Sequence, residues 1–173
     1  MFSVTWNVIR RRVLVLTLLV AIPVAAAVTA LLVAGRSASA ASAPTARRID
    51  LAAGSPSFAA GYRLSLTEAV VPPGGAFPPH RHPGMQGAYI ESGTLQFTVY
   101  RGKVNVFRGH PGASQKLVRV LRAGGTGSIT AGEWIIETPS LWHRGANVGR
   151  KRVVILLATL LRADKAPAIP VVP

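Results

Sequence analysis

From Tyr62 onward the chain alternates apolar and polar residues over short stretches, and glycine or proline clusters separate those stretches. A period of two belongs to a half-buried strand. The pattern predicts strands over residues 62–71, 77–82, 84–91, 95–100, 115–122, 127–130, 133–137 and 141–146, with Val104 and Val106 marking one more. Within 95–100, Leu95, Phe97 and Val99 fall on one face. Pro72-Pro73-Gly74-Gly75, Ser92-Gly93 and Gly124-Gly125-Thr126-Gly127 read as turns. Residues 153–161 are apolar almost throughout. Such a run suits a strand buried on both faces, and periodicity alone leaves a short helix open. Many short strands bounded by glycine favour an all-β fold over α/β.

The flanks follow other rules. Arg10, Arg11 and Arg12 precede an uncharged apolar run from Val13 to Ala34, about 33 Å long as a helix and enough to cross a bilayer. Ala38-Ser39-Ala40 is a small-residue site of the signal-peptidase kind. Two readings of residues 1–40 therefore stand, a cleaved signal peptide or an uncleaved anchor in the cytoplasmic membrane. Both place the rest of the chain outside the cytoplasm, because an arginine cluster stays inside. Residues 41–60 are rich in Ala, Ser, Pro and Gly and read mainly as a flexible linker, in which 47–52 can form a short first strand. Residues 61–163 make the β domain. Residues 164–173, rich in proline, form an extended or disordered tail.

The formal charge is +14. Four arginines precede residue 40, and basic residues still far outnumber the six acids in the remainder. No acid stands between Glu91 and Glu133, a window that holds Arg101, Lys103, Arg108, Lys116, Arg119 and Arg122. This window is either a face for an anionic partner or a solvated hairpin face. Nucleic acid is not an expected partner: the chain reads as exported, and no aromatic residues interleave with the charges. There is no cysteine, so an exported domain of this composition depends on core burial rather than disulfides.

The chemistry concentrates in Gly74-x5-His80-x-His82-x3-Gln86-x6-Gly93. Two histidines one residue apart on an extended segment point to the same face, where their imidazoles can chelate one divalent transition metal. Pro78, Pro79 and Pro83 argue against a helix here. A third ligand must come from His110 or His143, and His143, near the end of an apolar strand pattern, is the better candidate. These spacings resemble the cupin superfamily, whose first motif reads Gly-x5-His-x-His-x3-Glu-x6-Gly. Gly74, His80, His82 and Gly93 match, and Gln86 stands where glutamate is usual. Gly132, His143 and Asn147 keep the register of the second motif, while Thr138 and Ser140 replace its proline and glycine. The resemblance implies a cupin-type jelly-roll β-barrel with a metal in its mouth, preceded by the N-terminal hydrophobic segment.

The ligand set so implied is His80, His82, Gln86 and His143. Three neutral imidazoles suit Fe, Mn, Ni, Cu, Co or Zn. Gln86 either offers its amide oxygen to the ion or hydrogen-bonds a ligand histidine. Glutamine in place of glutamate is expected to weaken metal retention, to favour an anionic oxygen ligand, and to remove a carboxylate base. Glu91 and Glu137 are expected as surface charges. Phe77, Met85, Tyr89 and Phe97 are expected mainly as core, and Asn147 as a residue that shapes a turn. The functions that follow are a dioxygenase-like enzyme acting on a small molecule, a non-catalytic envelope protein binding a ligand or metal, and a barrel that has lost its metal. Barrels of this family often pair through their sheets, so a homodimer is compatible with the resemblance.

Overall fold

A computed structural model describes residues 44–112 and 114–173. The expected signal or anchor segment and the first residues of the linker lie outside the described residues. Every regular element among the described residues is a strand: β1 (Arg47–Gly54), β2 (Tyr62–Val71), β3 (Ala76–Arg81), β4 (Gly84–Ser92), β5 (Thr94–Arg101), β6 (Lys103–Arg108), β7 (Lys116–Arg122), β8 (Thr126–Thr130), β9 (Glu133–Glu137), β10 (Trp142–Ala146), β11 (Val153–Arg162) and β12 (Ile169–Pro170). They form a seven-stranded sheet, β1-β2-β11-β4-β9-β6-β7, and a five-stranded sheet, β12-β3-β10-β5-β8. All named strand pairs are antiparallel. The two sheets face each other across one core in jelly-roll fashion.

Period-two alternation sorts side chains into that core. Ala69 and Val71 of β2, Ala88 and Ile90 of β4, Leu95, Phe97 and Val99 of β5, Ile135 of β9, and Ile155 and Leu157 of β11 are all buried. The opposite face of the larger sheet carries Leu64, Leu66, Met85, Tyr89 and Ile136, each between 43% and 50% exposed. β11 is therefore a strand, as one reading had it, but it is not buried on both faces. Val153, Ile155, Leu157, Thr159 and Leu161 face the core, whereas Leu156 and Leu160 are half-covered and Ala158 is exposed. Sheet neighbours supply that half-cover, since Leu156 is level with Tyr89 and Leu160 with Met85 and Leu64.

Two flanking segments take part in the fold. The stretch read mainly as linker contributes β1, which pairs with β2 from Arg47↔Val70 to Gly54↔Leu64. The C-terminal tail is extended and ordered. Ile169 and Pro170 pair with Arg81 and His80 of β3, and the Val171 amide donates to the Pro79 carbonyl at 3.1 Å. Proline suits such an edge strand because the missing N–H would otherwise face outward.

The basic window also has a structural use. Glu133 is 1% exposed. Its carboxylate accepts hydrogen bonds from Arg119 at 2.9 Å, Arg108 at 3.3 Å and the Thr130 amide at 2.8 Å, and Arg119 also donates to the Ser128 carbonyl. Burial pushes the Glu133 carboxyl up, but the Thr130 amide, Arg119 and Arg108 outweigh it and hold the group below its ordinary 4.5. A carboxylate whose value is depressed by folding contributes stability above its unfolded value and loses that contribution as pH falls through the folded one. Glu133→Gln is expected to cost about 2 kcal/mol at neutral pH. In denaturant titrations the gap between wild type and variant should narrow as pH drops below 4.5. A gap that is constant from pH 7 to 3 would contradict the assignment.

Candidate metal centre

Cross-strand register assembles the site. His80 on β3 lies opposite His143 on β10, although they are far apart in sequence. His82 follows β3 directly and returns to the same interior. The ring centroids are 4.8 Å apart for His80 and His82, 4.3 Å for His80 and His143, and 5.3 Å for His82 and His143. One ligating nitrogen from each residue falls within 4.8 Å of the others. All three are buried. Phe97, level with Gly145 on the neighbouring strand, stacks on His143 at 4.8 Å with planes 13° apart and fixes that ring.

Hydrogen bonds orient two of the imidazoles. His80 Nδ1 lies 2.7 Å from the Pro78 carbonyl, and His82 Nδ1 lies 2.6 Å from the Pro167 carbonyl. A carbonyl only accepts, so both Nδ1 atoms carry the proton. In the neutral ring, the Nε2 lone pair is then free for a metal. Pro167 belongs to the tail, so the ordered C-terminus has a direct task in setting the tautomer of His82. His143 Nδ1 and Gln86 Oε1 are buried without a hydrogen-bond partner. Buried polar atoms are rarely left so, and a donor set of unprotonated nitrogens and amide or carboxylate oxygen fits a divalent transition metal.

Gln86 and Glu137 are register partners on β4 and β9. Gln86 Nε2 donates to Glu137 Oε2 at 2.8 Å and lies 3.2 Å from His82 Nε2. This is the consistent orientation of the amide, since its oxygen would repel the carboxylate. Gln86 thus sits in the site through its amide nitrogen, against a ligand histidine and an acid. Glu137 is not a surface charge. It is 3% exposed, with Oε2 3.0 Å from His82 Nε2 and Oε1 3.6 Å from His143 Nε2. The site consequently does have a carboxylate, contrary to the reading taken from position 86. The clue in the sequence was the alternation of β9, where Glu133, Ile135 and Glu137 share the buried face. Glu91 is exposed, as expected.

Electrostatics keep these groups ready for a cation. Burial, reinforced by His143, lowers His80 to about 4. Burial likewise lowers His143. Burial would raise the Glu137 carboxyl, but His143 and His82 outweigh it and lower the group to about 2. A neutral His80 and His143 near an ionised Glu137 are protonation states that suit a metal.

The site opens on a cavity of about 40 Å³, roomy enough for a few waters. Its walls are mainly apolar and include Phe77, Phe97, Ile129, Ile135 and Leu157, and Arg48 of β1 stands in its lining. Met85 and Tyr89 point outward instead and are 44% and 43% exposed. Arg48 also lines a separate cleft of about 450 Å³ with Arg63, Arg162 and Lys165. Its strand lies in the stretch read mainly as linker, so its place in the site was not legible. His110 is an exposed loop residue. Asn147 shapes the turn after β10: its amide donates to the Val71 and Lys151 carbonyls, and its side-chain oxygen accepts from the Gly149 amide.

Residues 67–115 match the family described as Cupin domain. No curated protein matches the chain. Similar solved structures include a cupin 2 domain-containing protein from Halorhodospira halophila, at 17% identity and TM-score 0.48, covering 73% of this chain and 71% of the other. The polyketide cyclase RemF from Streptomyces resistomycificus aligns at 18% identity and TM-score 0.47, covering 74% and 72%. The DMSP lyase DddQ from Ruegeria pomeroyi aligns at 18% identity and TM-score 0.40, covering 62% and 42%. The match to the Cupin domain family spans the first histidine motif, and the fold brings its two histidines against His143, so that three buried histidines lie close enough together to bind a metal.

Proposed function

We propose that this domain holds a divalent transition metal between His80, His82 and His143 and works as an oxygenase-like enzyme on a small molecule. The observation that carries the reading is the meeting of three buried imidazoles at one cavity. A bound metal with open positions supplies Lewis acidity and a seat for oxygen ligands. The chain's own residues do the rest. The Pro78 and Pro167 carbonyls set the tautomers of two ligands, and the apolar wall keeps bulk water out.

Arg48 supports an acidic ligand. Its neighbour Asp50 also bonds Thr67 at 2.8 Å and lies 3.8 Å from Arg63, and the Arg48 guanidinium, attracted by Asp50 and Glu137, forms no ion pair or hydrogen bond among the described residues. A half-buried cation of this kind suits a carboxylate or similar group on the ligand. The fitting ligand has a small apolar body for the inner cavity and an acidic end at Arg48.

Metal content of the purified full-length chain after dialysis is the first measurement, followed by oxygen uptake with small carboxylate-bearing thiols and diketones and with flavonols. Metal retention and uptake with a small acidic substrate are expected. Arg48→Gln should raise KM for that substrate by about tenfold, the loss of one charged contact, with little change in kcat. Metal without uptake on any substrate would move the protein to non-catalytic binding. We also propose that residues 1–40 export or anchor the domain, which membrane fractionation and the mass of the mature chain would test.

A further inference from the structure

Resting on the metal reading above, we infer that Glu137 is the acidic ligand of the site, the carboxylate standing on β9 directly across from position 86 rather than at it, with Gln86 as its positioning residue. Three observations carry this. The first is register: Gln86 and Glu137 are paired residues on adjacent strands with both side chains on the buried face. A carboxylate on either strand therefore reaches the same interior point.

The second is distance. Two donor atoms held about 2.1 Å from one ion, at angles between the octahedral and tetrahedral values, are about 3.0 to 3.4 Å apart. Glu137 oxygens lie 3.0 Å from His82 Nε2 and 3.6 Å from His143 Nε2, so both contacts can share one ion after a shift of a few tenths of an ångström.

The third is a mismatch of roles. His82 gives its Nδ1 proton to Pro167, which leaves a lone pair on Nε2 when the ring is neutral. That lone pair faces a carboxylate oxygen at 3.0 Å. Both acceptors are aimed at one interior point, which the Gln86 amide bridges at 2.8 Å from the oxygen and 3.2 Å from the nitrogen, and which an ion held by both would fill. No lysine or arginine forms an ion pair with Glu137 among the described residues; its partners are His82, His143 and Gln86.

The test is a charge exchange in the full-length chain, with Zn²⁺ affinity and stoichiometry and the absorption spectrum of Co²⁺ as readouts. Metal-free thermal melts establish that each variant is folded. Glu137→Gln should weaken Zn²⁺ binding by about 100-fold, at least as much as the loss of an outer partner of a metal ligand, and should alter the Co²⁺ spectrum. The double variant Gln86→Glu/Glu137→Gln returns a carboxylate to the same interior point and should recover most of the affinity. Wild-type affinity in Glu137→Gln would overturn the assignment and leave the three-histidine reading standing. A loss that the double variant does not restore would also overturn it, since the missing charge would then not be the cause. If the wild-type chain binds neither Zn²⁺ nor Co²⁺, both this inference and the metal reading fall.

Discussion

Replacing His143 with alanine should cost the protein its metal. His143 joins the site from β10 through register with His80, while the other two histidines come from one short segment. Without it, His80 and His82 hold the ion from one short segment only, with Glu137 as the remaining protein donor. We expect Zn²⁺ affinity to fall by about 100-fold or more, beyond the loss seen when an outer partner of a ligand is removed. A second readout follows from linkage. An ion that binds only the folded chain stabilises it by about 2.7 kcal/mol at 100 times its dissociation constant. Adding Zn²⁺ should therefore raise the melting temperature of the wild type and leave His143→Ala unmoved. The variant also loses the face that stacks on Phe97, so its metal-free melt will start lower. The informative quantity is the metal-induced shift, and an equal shift in both proteins would remove His143 from the ligand set.

The largest effect on stability should come from Gly84→Ala. Gly84 opens β4 and lies level with Leu161 of β11. A methyl group there would overlap the Leu160 carbonyl oxygen and stand 2.9 Å from the Leu161 Cα. Both obstacles are backbone, so no side-chain rotation relieves the clash. β4 and β11 are neighbours in the middle of the seven-stranded sheet, and Gln86 sits two residues further along β4. Forcing the strands apart should cost on the order of 3 kcal/mol or more, the upper range for overpacking a tight site, and should displace Gln86. Equilibrium denaturation of the metal-free chain reads the first effect, and Zn²⁺ affinity of the folded fraction reads the second. An unchanged denaturation midpoint would show that β4 and β11 are not packed this closely. Gly87, on the same strand, has only ordinary contacts at 3.5 Å and beyond. Gly87→Ala is the control and should be tolerated.

Local patterning accounts for most of the strands. The spans 62–71 and 133–137 coincide with β2 and β9, and most others agree to within a residue or two at their ends. Alternation reports which side chains share a face, and glycine and proline report where the chain turns; both are properties of neighbours along the chain. The same local logic put His80 and His82 on one face, and motif spacing joined His143 to them. It said less at the flanks. Ala, Ser, Pro and Gly lack a strong alternation, so the pattern offers β1 only as a short strand over 47–52 within a linker and β12 only as part of an extended or disordered tail, whereas pairing with β2 and β3 makes both part of the sheets.

What the sequence alone determined is the all-β character, the short strands and the His80–His82 pair suited to a metal, because each is written in the period or spacing of residues close together in the chain. Which acid faces those imidazoles was decided only by the tertiary structure. Glu137, Arg48 and the Pro167 carbonyl reach the site from β9, β1 and the tail, brought there by strand pairing between segments remote in sequence. A carboxylate at a strand end looks the same in the chain whether water or a histidine lies beyond it. Only the position of the opposing strand settles which, since burial and hydrogen-bond partners are properties of the packed sheet.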